Sequence, residues 1–513
     1  MQATVLAVLG SLGVQHLATA ATLPPAVGAR QYGAPGDFVI ATGVDITTLD
    51  PQQSTSASNL AVTFNLFDNL VTVGPDLKLQ PGLATTWTLL DDRTWEFKLR
   101  PGVTFHNGDP LTARDVAFTI NRALDPAEQS AVDTVFSTVE RIETPDDLTV
   151  RFTTYHADPL LPARLSFAGG QILPERYFKQ IGADRFAHEP VGSGPIKFAT
   201  WVPNDFSMYA ANTGCWGGAP DFDRVIFQRM EQDRDRVKAL LEGKAHLATR
   251  LSPEWRLRLT TRPEARPAAA PFSGLYVLGV NPQNKPLDNP LLRQALSLAI
   301  NRDAIIRGMW LDRGLEPIGF VSKGDRVGYA PDLPPFTFSQ DRARELLSQA
   351  GYAGEPVIFE STDGYLSYDA AMTKVIVTMW QRVGINAEVR WITRAERTEK
   401  NLARGFAGVW WSDPTSTLLD PDGMMFRLIA PGGFQDYWKD DEWLRLGTEA
   451  RTSHDASLRE RNYRRMQEIM LDQLPWIPII QPEEGYGVRN EVTWQPSPNG
   501  MLELRRTVLA WNH

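Results

Sequence analysis

Cysteine is almost absent: Cys215 stands alone in 513 residues, so no internal disulfide can form and stability has to come from core burial. Positive charge is in deficit. With 52 basic against 61 acidic residues and a formal charge of −9, the chain has no sequence-independent hold on polyanions, which excludes nucleic acid as its natural partner. Beyond the amino terminus no apolar run is long enough to span a bilayer, so the body of the chain is soluble. The seven histidines (His16, His106, His156, His188, His246, His454 and His513) are scattered. No two stand at the i, i+4 spacing that holds a metal on one helix face, and H-E-x-x-H is missing. There is no G-x-x-x-x-G-K-[ST] loop, no G-x-G-x-x-G after a strand, no G-x-S-x-G elbow and no S-x-x-K; Gly192-Ser193-Gly194 is a turn. The acidic pairs Asp91-Asp92 and Asp440-Asp441 adjoin turn-like sequence and are expected to be solvated. Catalytic residues, metal ligands and cofactors are therefore all expected to be none, and the chain is expected not to be an enzyme.

What is present describes an ordinary globular protein of several units: 42 % hydrophobic, 22 % charged, and fifteen tryptophans, more than a core requires. Residues 1–21 carry an apolar stretch from Ala3 to Val14 and the small-residue pattern Ala18-Thr19-Ala20, the shape of an export signal, although no basic residue precedes Arg30. A Pro-, Gly- and Ala-rich linker follows over 22–36. Further on, Trp95, Phe97 and Leu99 alternate with charged residues as in a strand, and Thr112 and Asp115 form a capping box for a helix that Asp125-Pro126 stops. Strands are expected around Leu148–Phe152 and Val225–Met230, and a helix from Asp233 to Leu241. Asn289-Pro290 and Ser339 each open a helix. Residues 355–389 read strand, helix, strand, a parallel crossover unit. A helix at 458–474 turns Tyr463, Met466, Ile469 and Met470 inward, with Arg459, Arg461, Arg464 and Arg465 expected on a solvated face. The class is α/β, in several lobes.

The segment 83–126, LATTWTLLDDRTWEFKLRPGVTFHNGDPLTARDVAFTINRALDP, resembles the signature of the extracytoplasmic solute-binding proteins of ABC importers, the oligopeptide-, dipeptide- and nickel-binding family (family 5). The likeness continues in order through PVGSGPIKFATW (190–201), ANTGCWGGAPDFDRVIF (211–227), RQALSLAINRDAII (293–306), DRARELLSQAGY (341–352) and LPWIPII (474–480). It implies a type II periplasmic binding protein fold, two lobes with a hinge plus an extra inserted domain. On this pattern 37–62, 186–276 and 478–513 form lobe I, 63–185 the inserted domain, and 277–477 lobe II. The implied function is the substrate-binding component of an ABC importer: a periplasmic, monomeric protein that captures a peptide or peptide-like solute between its lobes and delivers it to the membrane permease. An oligosaccharide, an opine or amino-acid conjugate, or a metal chelate are alternatives within the family, and nickel is disfavoured by the lack of histidine in 406–425. A secreted hydrolase is the alternative of another class, and a peptidoglycan- or partner-binding structural protein a third. No lipobox cysteine stands near residue 20, which argues against a lipid anchor.

The resemblance also implies where the solute sits. Thr55, Ser56 and Ala57 match an extended ligand-facing strand, and Tyr276 an aromatic cleft position. Arg394 and Arg397 stand where relatives place an aromatic or basic cleft residue able to meet a carboxylate. The segment 406–425, FAGVWWSDPTSTLLDPDGMM, corresponds to the family's W-x-x-D-x-x-D-P region, in which the first aspartate of peptide-binding members pairs with the ligand's α-amine. Here that position falls on Ser416 or Thr417, while Asp413 lies a few residues earlier. Either the loop is rearranged and Asp413 takes the role, or a free α-amine is not gripped in the usual way. Trp410 and Trp411 are expected to flank the solute. Cys215, at a position usually aromatic in the family, is expected to be buried and structural.

Overall fold

Alternating and fully apolar strands assemble into one twelve-stranded sheet, described by a computed structural model over residues 34–325, 327–415, 418–505 and 509–511. The segment 1–21, expected to direct export, and the expected linker up to residue 33 lie outside the described residues. Along the sheet the order runs Ala387–Trp391, Val357–Ser361, Val409–Ser412, Tyr276–Val280, Trp476–Arg489, Leu247–Ala248, Asp37–Thr42, Arg224–Arg229, Phe206–Ala211 and Ile196–Val202. The strand Trp476–Arg489 is the link. Its first residues pair with Tyr276–Val280 (Trp476 opposite Gly279, Ile480 opposite Tyr276), and its last with Ala265–Pro271 (Glu483 opposite Pro271, Arg489 opposite Ala265). Where it passes from one lobe to the other, Phe272 donates its N–H to the Pro482 carbonyl (2.9 Å) and Gln481 Nε2 donates to the Phe272 carbonyl (2.9 Å). Two chain crossings are thus tied together at the waist.

Separate cores lie on either side. One extends from Leu275 to Ile480 and holds Trp310, Trp380, Trp411, Trp443 and Trp476. A second gathers Phe38, Ile40, Tyr209, Tyr486, Trp494 and Trp511. A third unit has its own antiparallel sheet, Ala84–Asp91, Thr94–Leu99, Thr149–Thr154 and Val139–Asp146 in that order, with its core running to Ile172. Leu173, Phe178 and Phe186 already belong to the core of the first lobe.

The local signals in the sequence produce the elements expected of them. The Asp115 carboxylate accepts the Thr112 N–H (2.9 Å) at the start of Ala113–Leu124, and Asn289 and Ser339 cap Pro290–Leu298 and Gln340–Gln349. Val357–Ser361 and Ala387–Trp391 pair in parallel across the helix Asp369–Arg382. On Ala456–Gln473 the expected inner face is buried, but Arg459 is not on a solvated face: it is buried, paired with Asp420 and stacked against Tyr463. Helix periodicity alone placed it outside; a buried carboxylate on the facing loop draws it in, because an unpaired Asp420 would be too costly.

Buried ion pairs join the units. Arg122, on the helix Ala113–Leu124 of the inserted unit, meets Asp50 of the first lobe in a two-pronged pair (Nη2–Oδ2 2.8 Å, Nη1–Oδ1 3.1 Å), and its guanidinium lies over the Phe178 ring. Both are almost inaccessible to water, so removing one leaves the other as a lone buried charge. Arg122→Leu is expected to cost about 3–5 kcal/mol of stability, read as a fall in the urea midpoint. A loss under about 1 kcal/mol would place this pair among those with no net value.

Candidate functional site

Val409–Ser412 runs antiparallel to Tyr276–Val280 and parallel to Val357–Ser361, so both of its edges are paired; its neighbouring side chains point to opposite faces, and all four are buried. Trp410 stacks flat on Phe406 (4.7 Å, 9°) and touches Tyr437. Gly279 lets it approach: a Cβ there would lie 2.4 Å from the indole. On the other face Trp411 donates its Nε1–H to Thr373 Oγ1 (2.8 Å) beside Phe359. Their exposures are 1 % and 0 %. Neither tryptophan can flank a solute, contrary to expectation; both pack in the core, because Phe406 and Tyr437 cover one face of the strand there and Phe359 and Thr373 the other.

The strand ends at Ser412, held by Gln435, and Asp413 is the first side chain beyond it. Its loop folds back on the waist: Leu275 N–H donates to the Pro414 carbonyl (3.1 Å), and Gly274 bridges Thr415. Asp413 Oδ1 accepts the Tyr365 hydroxyl; among the described residues no other side chain donates to this carboxylate. Tyr365 is presented by a loop whose Gly364, Tyr365 and Leu366 N–H groups all donate to the Asp369 carboxylate (2.7–3.0 Å). Over the Tyr365 ring, 3.6 Å from its centre, lies the guanidinium of Arg397. Arg397 comes from the helix Arg394–Ala403, fixed at its start by the Thr393–Glu396 capping box.

Facing this from the first lobe is Arg250, at the end of Leu247–Ala248 in a left-handed conformation (φ +52°). Among the described residues its guanidinium makes neither an ion pair nor a hydrogen bond. Its charge is nonetheless stabilised against burial, first by Glu484 and further by Asp413, so that its pKa rises. Asp413 and Arg250 both remain accessible to solvent while each feels charges from the opposite lobe, which marks a narrow crevice rather than an open face. Burial raises the hydroxyl pKa values of Tyr276, Tyr365 and Tyr486, so all three are neutral donors or acceptors here. Asp413 interacts with Arg397 and Arg250, and Arg250 with Glu484, so two carboxylates and two guanidiniums meet here, a balanced set suited to a solute carrying both signs.

Of the residues expected from sequence, Tyr276, Arg397 and Asp413 come together. Arg394 is exposed and donates to the Gly364 carbonyl, steadying the Tyr365 loop from outside. Thr55, Ser56 and Ala57 do not form an extended strand. Ser56 is the N-cap of the helix Ala57–Leu66, its oxygen accepting from the Asn59 N–H, and Ala57 is the first helical residue; a serine able to satisfy a free helix N–H wins over the extended form. Ser416 and Thr417 lie outside the described residues. Arg250, Tyr365, Glu484 and Tyr486 were missed. Tyr365 follows an Asp-Gly turn, which marks a loop but not its direction, and Arg250 is a lone charge between a buried dipeptide and the Ser252-Pro253 helix start.

Cys215 is buried beside Arg505 and Trp216, and burial pushes its thiol pKa up, away from nucleophilic use. Among the described residues no three His, Cys, Asp or Glu side chains are grouped so as to hold a metal ion, and no helix is long and apolar enough to cross a membrane.

Burial holds the Asp413 carboxyl above its ordinary range despite Tyr365, Arg397 and Arg250. The folded chain keeps this proton over a pH interval in which the unfolded chain has released it, so above that interval the ionised group destabilises the ligand-free fold, and the penalty fades as pH falls through it. Asp413→Asn is therefore expected to raise the melting temperature of the ligand-free protein at neutral pH, and to remove part of the stabilisation that mild acid gives the unaltered chain. A lower melting temperature for the variant would mean that Asp413 is a structural anchor.

The family described as bacterial extracellular solute-binding proteins, family 5 Middle, matches residues 78–436. Curated relatives include the glutathione-binding protein GsiB of Escherichia coli (strain K12) and that of Shigella flexneri, each 28 % identical over 470 residues, covering 86 % of this chain and 88 % of theirs. Similar solved structures include the periplasmic binding protein DppA from Helicobacter pylori in complex with the peptide STSA (TM-score 0.82, 23 % identity, 93 % of this chain and 98 % of that one). The dipeptide-binding protein from Pseudoalteromonas sp. SM9913 in complex with Met-Leu matches with TM-score 0.82 and 20 % identity over 93 % of this chain and all of the other. AgaA from A. tumefacien R10, in complex with agropinic acid, has TM-score 0.81 and 24 % identity, covering 93 % and 99 %.

Proposed function

The chain belongs to the bacterial extracellular solute-binding proteins of family 5, and on that premise we propose that it serves an ABC importer by closing on an amphoteric, peptide-like solute, with the solute's ammonium at Asp413 and its carboxylate at Arg250. The observation that carries this reading is the opposition of these two groups across the waist, each with hydrogen-bonding capacity left unused. A solute that satisfies both can do so only when the lobes are together. Its contacts are therefore worth more in the closed than in the open state, and that difference drives closure. Tyr365 fixes one oxygen of Asp413 so that the other is presented, and Arg397, lying over Tyr365, favours the ionised carboxylate in part against its burial.

Further parts of the reading come from the family and the sequence. The protein acts outside the cytoplasm as a monomer, is exported by the segment 1–21, hands its solute to a membrane permease and carries out no reaction of its own. The glutathione named for the curated relatives and the peptides bound in the similar structures fit a solute with an amine and a carboxylate.

Calorimetric titration of the purified protein with dialanine, N-acetyl-dialanine and dialanine amide tests the reading. Blocking either end is expected to weaken binding at least about tenfold, as are Asp413→Asn and Arg250→Met with the free peptide, since each leaves a desolvated charge without its partner. Equal affinity for free and blocked peptides would sink the assignment of both charges.

A further inference from the structure

The inserted unit is fixed to the first lobe and only leans on the second, the lobe whose core runs from Leu275 to Ile480. On the first side the attachment is deep: besides the two-pronged Arg122–Asp50 pair, Gln52 Nε2 donates to the Thr119 carbonyl (2.8 Å) from a buried position. The inserted unit therefore travels with the first lobe when the lobes part. Its contacts with the second lobe lie across the gap that opens.

One of these contacts is made of charge. Arg164 Nε donates to Asp158 Oδ2 (2.9 Å) inside the inserted unit, and Asp422 Oδ1 accepts Arg451 Nε (2.6 Å) inside the second lobe. Between the two pairs Arg164 Nη2 stands 3.5 Å from Asp422 Oδ2, an oxygen that receives no hydrogen bond among the described residues. Charges thus alternate across the boundary in the order Asp158, Arg164, Asp422, Arg451. Arg164 and Asp422 are 3 % and 1 % exposed. Because each keeps a partner in its own unit, parting leaves neither as a lone charge, and the joint can be made and broken repeatedly.

The other contact is on the surface. The turn between the helices Asp441–Arg451 and Ala456–Gln473 carries His454, whose Nε2 donates to the Asp92 carbonyl (3.1 Å) in the turn between Ala84–Asp91 and Thr94–Leu99. The His454 ring lies beside Trp95 (6.1 Å between centres), and Trp95 Nε1 donates to the Asp158 carbonyl (3.1 Å). Both contacts are therefore anchored on one buried residue: the Asp158 carboxylate holds Arg164 and its carbonyl holds Trp95. Thr138 Oγ1 (2.6 Å) and the Leu160 N–H (3.0 Å) also donate to that carboxylate, so the anchor is itself fixed.

We infer that Asp158, Arg164, Asp422 and His454 form a latch between the inserted unit and the second lobe, which holds the lobes together with or without solute and sets how fast any solute leaves. This rests on the reading that the protein closes on its solute, but not on which solute that is. The four are positioning residues: none belongs to the crevice around Asp413 and Arg250, and they act on the solute only through closure, whose equilibrium is shared by every solute.

Small-angle X-ray scattering of the ligand-free protein, compared with His454→Ala and Asp422→Asn, tests the latch without a solute. Each variant is expected to have a larger radius of gyration than the unaltered protein. His454→Ala removes only an exposed ring, so its fold is not at stake. Stopped-flow release of dialanine and dileucine is the second arm: both are expected to leave His454→Ala faster by the same factor, about two- to tenfold, the worth of one hydrogen bond. Equal radii for the unaltered protein and both variants would overturn the latch, as would release rates that stay unchanged or change for one peptide only. Expanded variants in a protein that binds neither peptide would uphold the latch and overturn the peptide-like solute instead.

Discussion

The constraint on which the rest depends is that the strand Trp476–Arg489 belongs to both lobes. A sheet strand cannot leave its neighbours without exposing unpaired backbone groups, so each half of this strand is bound to its own lobe, and movement between the lobes must be taken up in the few residues between. Those residues, around Gln481 and Pro482 on one crossing and Ser273 and Gly274 on the other, are tied to each other by side-chain and backbone hydrogen bonds. The loop that bears Asp413 is laid against the same crossing through Gly274 and Leu275. Asp413 is therefore placed by the part of the molecule about which the lobes turn.

Charge does two different jobs in this molecule, and the difference is whether it is matched. Asp50 with Arg122, Asp68 with Arg505, and Asp422 with Arg451 and Arg164 are pairs or chains of pairs within the protein, buried at the junctions between units. Their partners answer the desolvation cost, and they fix how the units meet. Asp413 and Arg250 are incompletely matched. One oxygen of the first and the guanidinium of the second keep capacity for an outside partner, and the raised carboxyl of Asp413 is the cost of holding it so. Binding sites are commonly kept at such a local disadvantage in stability.

The tryptophans separate in the same way. An excess of fifteen suggested a stacked ligand, yet Trp310, Trp380, Trp410, Trp411, Trp443, Trp476 and Trp494 are among the most deeply buried side chains. The rings left near the crevice are tyrosines, whose hydroxyls can both orient a carboxylate and tolerate water. Tyr365 does this for Asp413, and Tyr276 and Tyr486 border Arg250.

By itself the sequence determined the family, the α/β alternation and most caps and strands, and it singled out Tyr276, Arg397 and Asp413, which the fold brings together at the waist. These are carried by short-range patterns and by motifs at fixed spacing, which survive in one dimension because the interactions behind them span a few residues. Only the tertiary structure decided that Trp410 and Trp411 face the core, that Arg459 is drawn inward by Asp420, and that Ser56 caps a helix instead of lining a strand. It also decided that Arg250, far from Asp413 along the chain, is the charge that faces it. A side chain's direction on a strand covered on both sides, and a partner contributed by another lobe, depend on what packs opposite. That information is distributed over distant segments and exists only once the lobes have met.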